Sequence, residues 1–282
     1  MLESDTQSLD DDWRHSTRPT IWLTYGKWKL MIPTIDINDY YSTIVGGQYS
    51  SLEVRPGDNV LDAGAAVGDF SLLAAEAVGS SGQIVSLEPN PYYYSILTEN
   101  IRVNELNNCI PLPLALSSKT GMNSVCVSLE SGRRIEAHSI TITDLLRLTA
   151  LPHFDVVKLD IEGGEEPIFH DTSWLSTVRE LVLETHGRTF ETVVSSLEKS
   201  GFHVSEYTLR DMANRAIRFG FKHPKDLARA ERFSKALGMR TIFKSIFYMN
   251  KRPKIVSRRD SLLRIVHGKK LPEKQNLEGE FR

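Results

Sequence analysis

The chain has 282 residues, 40% of them hydrophobic and 25% charged, with a formal net charge of −2. That is ordinary for a soluble globular protein, with length for one large or two small domains and an ample core. No apolar run approaches a membrane span, the acidic, polar N-terminus carries no signal-peptide pattern, and Cys109 and Cys126 sit in no metal or redox spacing, which together predict a reduced, cytoplasmic setting.

The charge is uneven along the chain. Residues 1–209 carry 14 Lys and Arg against 29 Asp and Glu, whereas residues 210–282 carry 20 against 7. A basic C-terminal quarter suggests an anionic partner such as RNA or a membrane surface. The alternative is a contact with the acidic body, within one chain or between copies in a homo-oligomer.

Residues 1–51 read as an acidic segment followed by an aromatic cap. From Pro19 to Leu52 the aromatics Trp22, Tyr25, Trp28, Tyr40, Tyr41 and Tyr49 are dense, and the pattern predicts a short hairpin about Tyr25-Gly26-Lys27. Such a cap packs on the body or walls a substrate pocket. Residues 52–250 read as the main domain. Asn59-Val-Leu-Asp62 is a strand, followed by a turn bracketed by Gly64 and Gly68 and a helix from Asp69 to about Val78. Ile84 to Leu87 is a second strand leading into Glu88, and Asn90-Pro91 opens a helix to about Asn104, with proline favoured in its first turn. Cys109 to Ala115 is a third strand. Residues 117–142 form a β excursion, and Thr143-Asp144 is expected to cap a short helix. Phe154 to Gly163 is a strand that ends in a cluster of acids, Asp160 and Glu162, and Glu180 to His186 is another. Thr189 to Ser200 has helical periodicity, Phe202 to Leu209 is a sixth strand, and about 210–237 is a basic helical insertion. Thr241 to Met249 reads as the last strand, and 251–282 as a basic tail.

Alternation of β and α predicts an α/β fold, a mostly parallel sheet with helices on both faces. Ligands then bind at the carboxyl ends of the strands, where Asp62, Glu88, Asp160, Glu162, Glu184 and His186 fall. The spacing Gly64-x-x-x-Gly68 is neither a dinucleotide fingerprint nor a P-loop. A pyrophosphate needs donors and positive charge at the helix N-terminus, but here stand Asp62 and Asp69. Such an entrance suits a ligand with a cationic end and no phosphate, such as S-adenosyl-L-methionine, and Glu88 stands where nucleotide-binding α/β proteins place the carboxylate that grips ribose hydroxyls.

The segments Val60-Leu-Asp-Ala-Gly-Ala-Ala-Val-Gly68, Glu88-Pro-Asn-Pro91, Leu97-Thr-Glu-Asn100, Val157-Lys-Leu-Asp-Ile-Glu-Gly163 and Leu183-Glu-Thr-His186, in this order, resemble the FkbM-type methyltransferases. These are class I S-adenosylmethionine-dependent enzymes, often O-methyltransferases. The resemblance spans about Leu52 to Gly201 and is most specific at Lys-x-Asp-x-Glu-Gly. It implies a Rossmann-like seven-stranded sheet with an antiparallel last strand, in agreement with Thr241–Met249 as that strand. The family usually has Asn where this chain has Ala66, so a side-chain amide beside the cofactor is missing.

Methyl transfer from a sulfonium is an in-line displacement. Alignment of the nucleophile supplies about 7–11 kcal/mol in favourable cases, and a base that takes the hydroxyl proton adds about 10²–10⁴-fold. Asp62, Gly64, Ala65 and Gly68 are assigned to the methionine end of the cofactor, Glu88 with Pro89 and Asn90 to the ribose, and Ala115 to the adenine. Asp160 and Glu162, two apart, are expected on one face of an extended strand with Lys158, to bind the cofactor ammonium, hold a divalent ion or orient the substrate. His186 is the candidate base, with Lys158, Asp160 and Glu162 as further candidate catalytic groups. No compact ligand motif is present, so no metal is expected. These residues point to O-methylation of a sugar, glycolipid or small metabolite. The competing readings are methylation of RNA or another polyanion through the basic C-terminal region, and a cofactor-binding module without turnover.

Overall fold

The computed structural model describes residues 19–128, 133–185, 189–236 and 264–270. The aromatic cap opens with the hairpin β1 (Thr20–Tyr25) and β2 (Trp28–Pro33), Tyr25 opposite Trp28. Helix α1 (Ile37–Asp39) continues as a π-helical stretch over Tyr40–Val45. Then come β3 (Asn59–Ala63), α2 (Asp69–Val78), β4 (Gln83–Leu87), α3 (Pro91–Val103) and β5 (Cys109–Leu112). The excursion is a small separate sheet of β6 (Ala115–Leu116), β7 (Gly121–Ser128) and β8 (Arg133–Ile140). Helix α4 (Ile142–Thr149) is capped by Thr141, which accepts from the Asp144 N–H, rather than by Thr143-Asp144. The chain continues through β9 (Val156–Leu159), α5 (Glu165–Ile168), β10 (Glu180–Thr185), α6 (Thr189–Lys199) and β11 (Phe202–Tyr207). The basic insertion is a helix pair, α7 (Leu209–Lys222) and α8 (Pro224–Ala236), and β12 (Arg264–Lys270) follows.

The main sheet has seven strands in the order β11-β12-β10-β9-β3-β4-β5, with only β12 antiparallel to its neighbours. Its antiparallel place is therefore filled by residues from the expected basic tail. Thr241–Met249, the expected closing strand, lies outside the described residues. Arg264-Ile-Val-His-Gly-Lys-Lys270 hides its strand character behind four basic residues, yet Val266 is fully buried. A Cβ at Gly268 would stand 3.3 Å from Phe202 Cδ1 and 3.5 Å from Leu181 Cδ2, so the small residue lets the neighbouring side chains close over the strand.

Strand parity divides the core. Val60, Ile84, Val156 and Val182 face one side with α2 and the aromatic cap, while Leu61, Val85, Val157 and Leu183 face the other with Leu145 of α4 and Leu197 of α6. Near-continuous burial of β3, β9 and β10 is what covered parallel strands require. The cap is fastened to α3 by two amides one helical turn apart. Asn100 accepts from the Met31 N–H at 2.7 Å and donates to the Met31 carbonyl at 2.9 Å, and Asn104 makes the same pair with Lys29 at 2.9 and 2.6 Å. Residues i and i+4 of a helix and i and i+2 of a strand both lie about 6–7 Å apart, so the helix edge mimics a partner strand.

Candidate functional site

Sheet order reverses between β3 and β9, and the crevice over the carboxyl ends at such a point is where open α/β sheets take ligands. Parity brings a polar row to it. Asp62 lies opposite Ser86 on one side and Lys158 on the other, and Asp160 and Glu184 follow at the ends of β9 and β10.

Asp62 and Lys158 form a buried ion pair, Oδ1 to Nζ 3.2 Å, with side chains 0% and 4% exposed. Ser71 donates to Asp62 Oδ2 at 2.6 Å, whereas Asp62 Oδ1, close to the ammonium but out of line with it, makes no hydrogen bond. Lys158 donates to the Gly64 carbonyl at 2.6 Å, and Asp160 Oδ2 lies 3.8 Å from it. Burial works against the Lys158 ammonium, but Asp62, Asp160, Asp69 and Glu184 outweigh it and hold its pKa above the usual value. This lysine, expected among the reacting groups, sits beneath the turn and clamps it.

The turn closes on its own backbone. The N–H groups of Gly64 and Ala65 donate to the Leu87 carbonyl at 3.0 and 2.8 Å, Gly68 donates to the Ala65 carbonyl at 2.7 Å, and Ala66 donates to Glu88 Oε2 at 2.9 Å. A Cβ at Gly64 would stand 1.7 Å from the Asp160 carbonyl oxygen and one at Gly68 2.6 Å from Leu97 Cδ1, both at positive φ. The approach these glycines permit here is to the protein's own chain. With those four N–H groups committed and Lys158 already neutralised, the turn offers a phosphate no free positive charge and few donors. Together with Asp62 Oδ1, which makes no hydrogen bond, this donor set fits a cofactor that is cationic and carries no phosphate.

Glu88 accepts from Asn90 N–H at 2.8 Å on its other oxygen, and each carboxylate oxygen has a second lone pair suited to a ribose hydroxyl. Burial pushes its pKa up to about 7 against the pull of the Asn90 and Ala66 N–H groups. Asp69, at the start of α2, is pushed up to about 6, again by burial. Asn90 also caps α3, accepting from the Tyr92 N–H at 3.0 Å. Pro89 is half-buried beside it, Ala65 is buried in the turn, and Ala115 is buried opposite Ser139 in the small sheet.

A residue that the sequence left unassigned to the site stands at its centre. The Tyr49 hydroxyl lies 3.1 Å from Asp160 Oδ2 and 3.0 Å from Glu184 Oε1, and accepts from Gln48 Nε2 at 3.1 Å. Lys158 Nζ is 5.2 Å from the Tyr49 ring centroid, and Phe70 packs edge-on to it at 5.5 Å. Burial, then the charges of Asp160 and Glu184, hold the phenol well above its usual pKa. Asp39 is reached by solvent yet ringed by protein, and this desolvation with the nearby charges of Asp69, Asp36, Asp160 and Glu184 raises its carboxyl. Asp160 and Glu162 do not share one extended strand: extended backbone stops at Leu159, and Glu162 lies in a turn with φ 55. His186, the candidate base, lies outside the described residues, next after the end of β10. Among the described residues no group of three His, Cys, Asp or Glu is placed to hold a metal ion.

The sequence profile of the methyltransferase FkbM domain matches residues 62–205, just over half of the chain. The chain belongs to the FkbM methyltransferase family. Its cofactor is S-adenosyl-L-methionine. Similar solved structures include a methyltransferase FkbM from Methylobacillus flagellatus KT, 14% identical with a TM-score of 0.44, covering 59% of this chain and 44% of that one. Others are precorrin-6y C5,15-methyltransferase from Geobacter metallireducens GS-15 (21%, TM-score 0.40, 58% and 73% covered) and Aeropyrum pernix fibrillarin with bound S-adenosyl-L-methionine (13%, TM-score 0.40, 66% and 74% covered). No curated protein matches. The matched FkbM segment begins at Asp62 and ends in β11, so Tyr49, the hairpin, the α7–α8 pair and β12 all lie beyond it.

Proposed function

We propose that this FkbM-family methyltransferase methylates a hydroxyl of a sugar, a glycolipid or another small metabolite, in a cytoplasmic setting. The observation that carries this reading is the Asp160–Tyr49–Glu184 bridge at the strand ends. Two carboxylates and a phenol suit a neutral acceptor that donates hydrogen bonds. When bound, S-adenosyl-L-methionine supplies an electrophilic methyl group. The chain's own residues then hold the acceptor hydroxyl, exclude water and take its proton, the last by His186 at the end of β10. On the same reading Asp62 and the turn hold the methionine end, Glu88 the ribose and Ala115 the adenine.

Transfer to RNA or another polyanion is the second reading, drawn from the exposed cations of α7 and α8. Against it, Asp69, Asp160 and Glu184 place carboxylates at the crevice, which disfavours a polyanion. Incubation with methyl-labelled cofactor and separate pools of sugars, glycolipids, amines and RNA tests the two. The expected product carries the label as a methyl ether. Label on nitrogen, or on RNA alone, would overturn the proposal. Titration calorimetry with S-adenosylhomocysteine separates the roles: Glu88→Gln should weaken binding, whereas His186→Ala should leave binding intact and slow transfer.

A further inference from the structure

Helix α7 has two apolar sides. Its inner side buries Phe219 and packs Ala216 into the cap core, and Met212 covers Gly46. Its outer side presents Ile217, 52% exposed, and Phe221, 85% exposed, one helical turn apart. Arg218 and Lys222 follow these two residues and are themselves exposed. On α8, Lys225, Arg229 and Arg232 recur at spacings of four and three, which places them in one exposed stripe. None of these five cations takes part in an ion pair among the described residues. Asp226, an acid on the same helix, is held by the Thr24 hydroxyl and the Gly26 N–H of the hairpin at 2.9 and 3.1 Å. Glu231 is the other acid beside the stripe.

We propose that the outer face of α7 and the α8 stripe dock the protein on an anionic lipid surface. A bare Phe-Ile pair beside uncompensated cations is the combination that interfacial helices use, the apolar pair entering the headgroup boundary and the cations meeting lipid phosphate and carboxylate groups. An RNA backbone would use the cations and could stack a base on Phe221, but it gains nothing from Ile217. No described helix is long and apolar enough to cross a membrane, so the contact is with the surface. The inner side of α7 rests on the segment that carries Tyr49: Arg215 donates to the Ser50 carbonyl at 3.2 Å. Docking therefore occurs next to the crevice, and it holds whatever the acceptor proves to be.

Co-sedimentation of the full chain with vesicles of phosphatidylcholine alone, or mixed with phosphatidylserine, tests this. Binding is expected to the mixed vesicles only and to disappear at about 1 M salt, where the Debye length falls to about 3 Å. Ile217→Ser with Phe221→Ala should weaken binding about tenfold, in proportion to the apolar burial lost. Arg229→Glu with Arg232→Glu, an independent pair at exposed positions, should abolish it. Circular dichroism and S-adenosylhomocysteine affinity should be unchanged in both variants. No vesicle binding, or binding that the Ile217/Phe221 pair does not affect, overturns the proposal. So does release of the vesicles by single-stranded RNA that binds equally well without Ile217 and Phe221, which would make this a nucleic-acid surface.

Discussion

Removing Lys158 strands Asp62 as an uncompensated buried charge, at a cost of about 3–5 kcal/mol, and removing Asp62 takes from Lys158 its nearest counter-charge. Asp62→Ala therefore tests folding as much as cofactor binding, and Asp62→Asn, which keeps an acceptor for Ser71, is the cleaner probe. Lys158→Met should lower stability by about 3–5 kcal/mol, read from the urea midpoint, and an unchanged midpoint would show that the pair is hydrated. At Ala66 the chain carries a side chain at φ 45, held there by the bond of its N–H to Glu88. Asn tolerates this region better than Ala, so Ala66→Asn should raise stability by about 0.5–1 kcal/mol, while Ala66→Val should lower it. A pH dependence follows from Glu88 and Asp69, which titrate in the folded chain near 7 and 6 instead of 4.5 and 3.8. Between those limits the folded chain binds more protons than the unfolded one, so stability falls as pH rises through the window. Ribose hydroxyls donating to Glu88, as proposed, favour its carboxylate. Affinity for S-adenosylhomocysteine should therefore rise from about pH 6 to about pH 8 with release of a proton. Calorimetry in two buffers of different ionisation enthalpy counts that proton, and proton uptake would refute the ribose assignment.

The join between α3 and the hairpin tests how an element outside the matched domain is held. Asn100 also donates to the Val67 carbonyl at 2.8 Å, so its one amide fixes both the cap and the glycine turn. Asn100→Ala leaves three backbone groups unpaired, and at about 1–3 kcal/mol for a buried one the loss should reach about 2–4 kcal/mol. Asn104→Ala, whose bonds to Lys29 are exposed, should cost about 1 kcal/mol or less. Equal losses in thermal denaturation of the two variants would show that the ladder, rather than Asn100, carries the join. Elements of this kind were legible where the signal is local. The turn at Tyr25-Gly26-Lys27, the strand–turn–helix from Asn59 and the Asn90-Pro91 helix start are each written within a few residues. Tyr49 is not, because its partners lie 111 and 135 residues away and no short period encodes a contact of that range. Glu162 failed for the opposite reason: the strand rule was carried three residues past the end of the strand at Leu159.

At the scale of the whole molecule, the charge asymmetry is resolved partly inside the chain. Lys269 of β12 reaches Glu53 at 2.7 Å, His267 meets the buried Glu180 at 2.7 Å, and Lys270 donates to the carbonyls of Leu175 and Ser176. Burial raises the Glu180 carboxyl, but the His267 hydrogen bond and the other donors and cations prevail and lower it. The contact therefore adds stability above the ordinary carboxylate range and loses it as pH falls through the lowered value. The basic composition that disguised this strand as a tail is thus part of what seats it. Because β12 lies between β10 and β11, its loss opens the sheet in the middle of one half and leaves β11 with no strand partner among the described residues. A chain ending before Arg264 should therefore lose its cooperative thermal transition along with S-adenosylhomocysteine binding. Val266→Asp, which puts a charge at a fully buried position, should do the same with every residue retained. A truncated chain that still melts cooperatively and binds the ligand would mean that the sheet closes without β12, and that the C-terminal quarter belongs to the surface instead of the core.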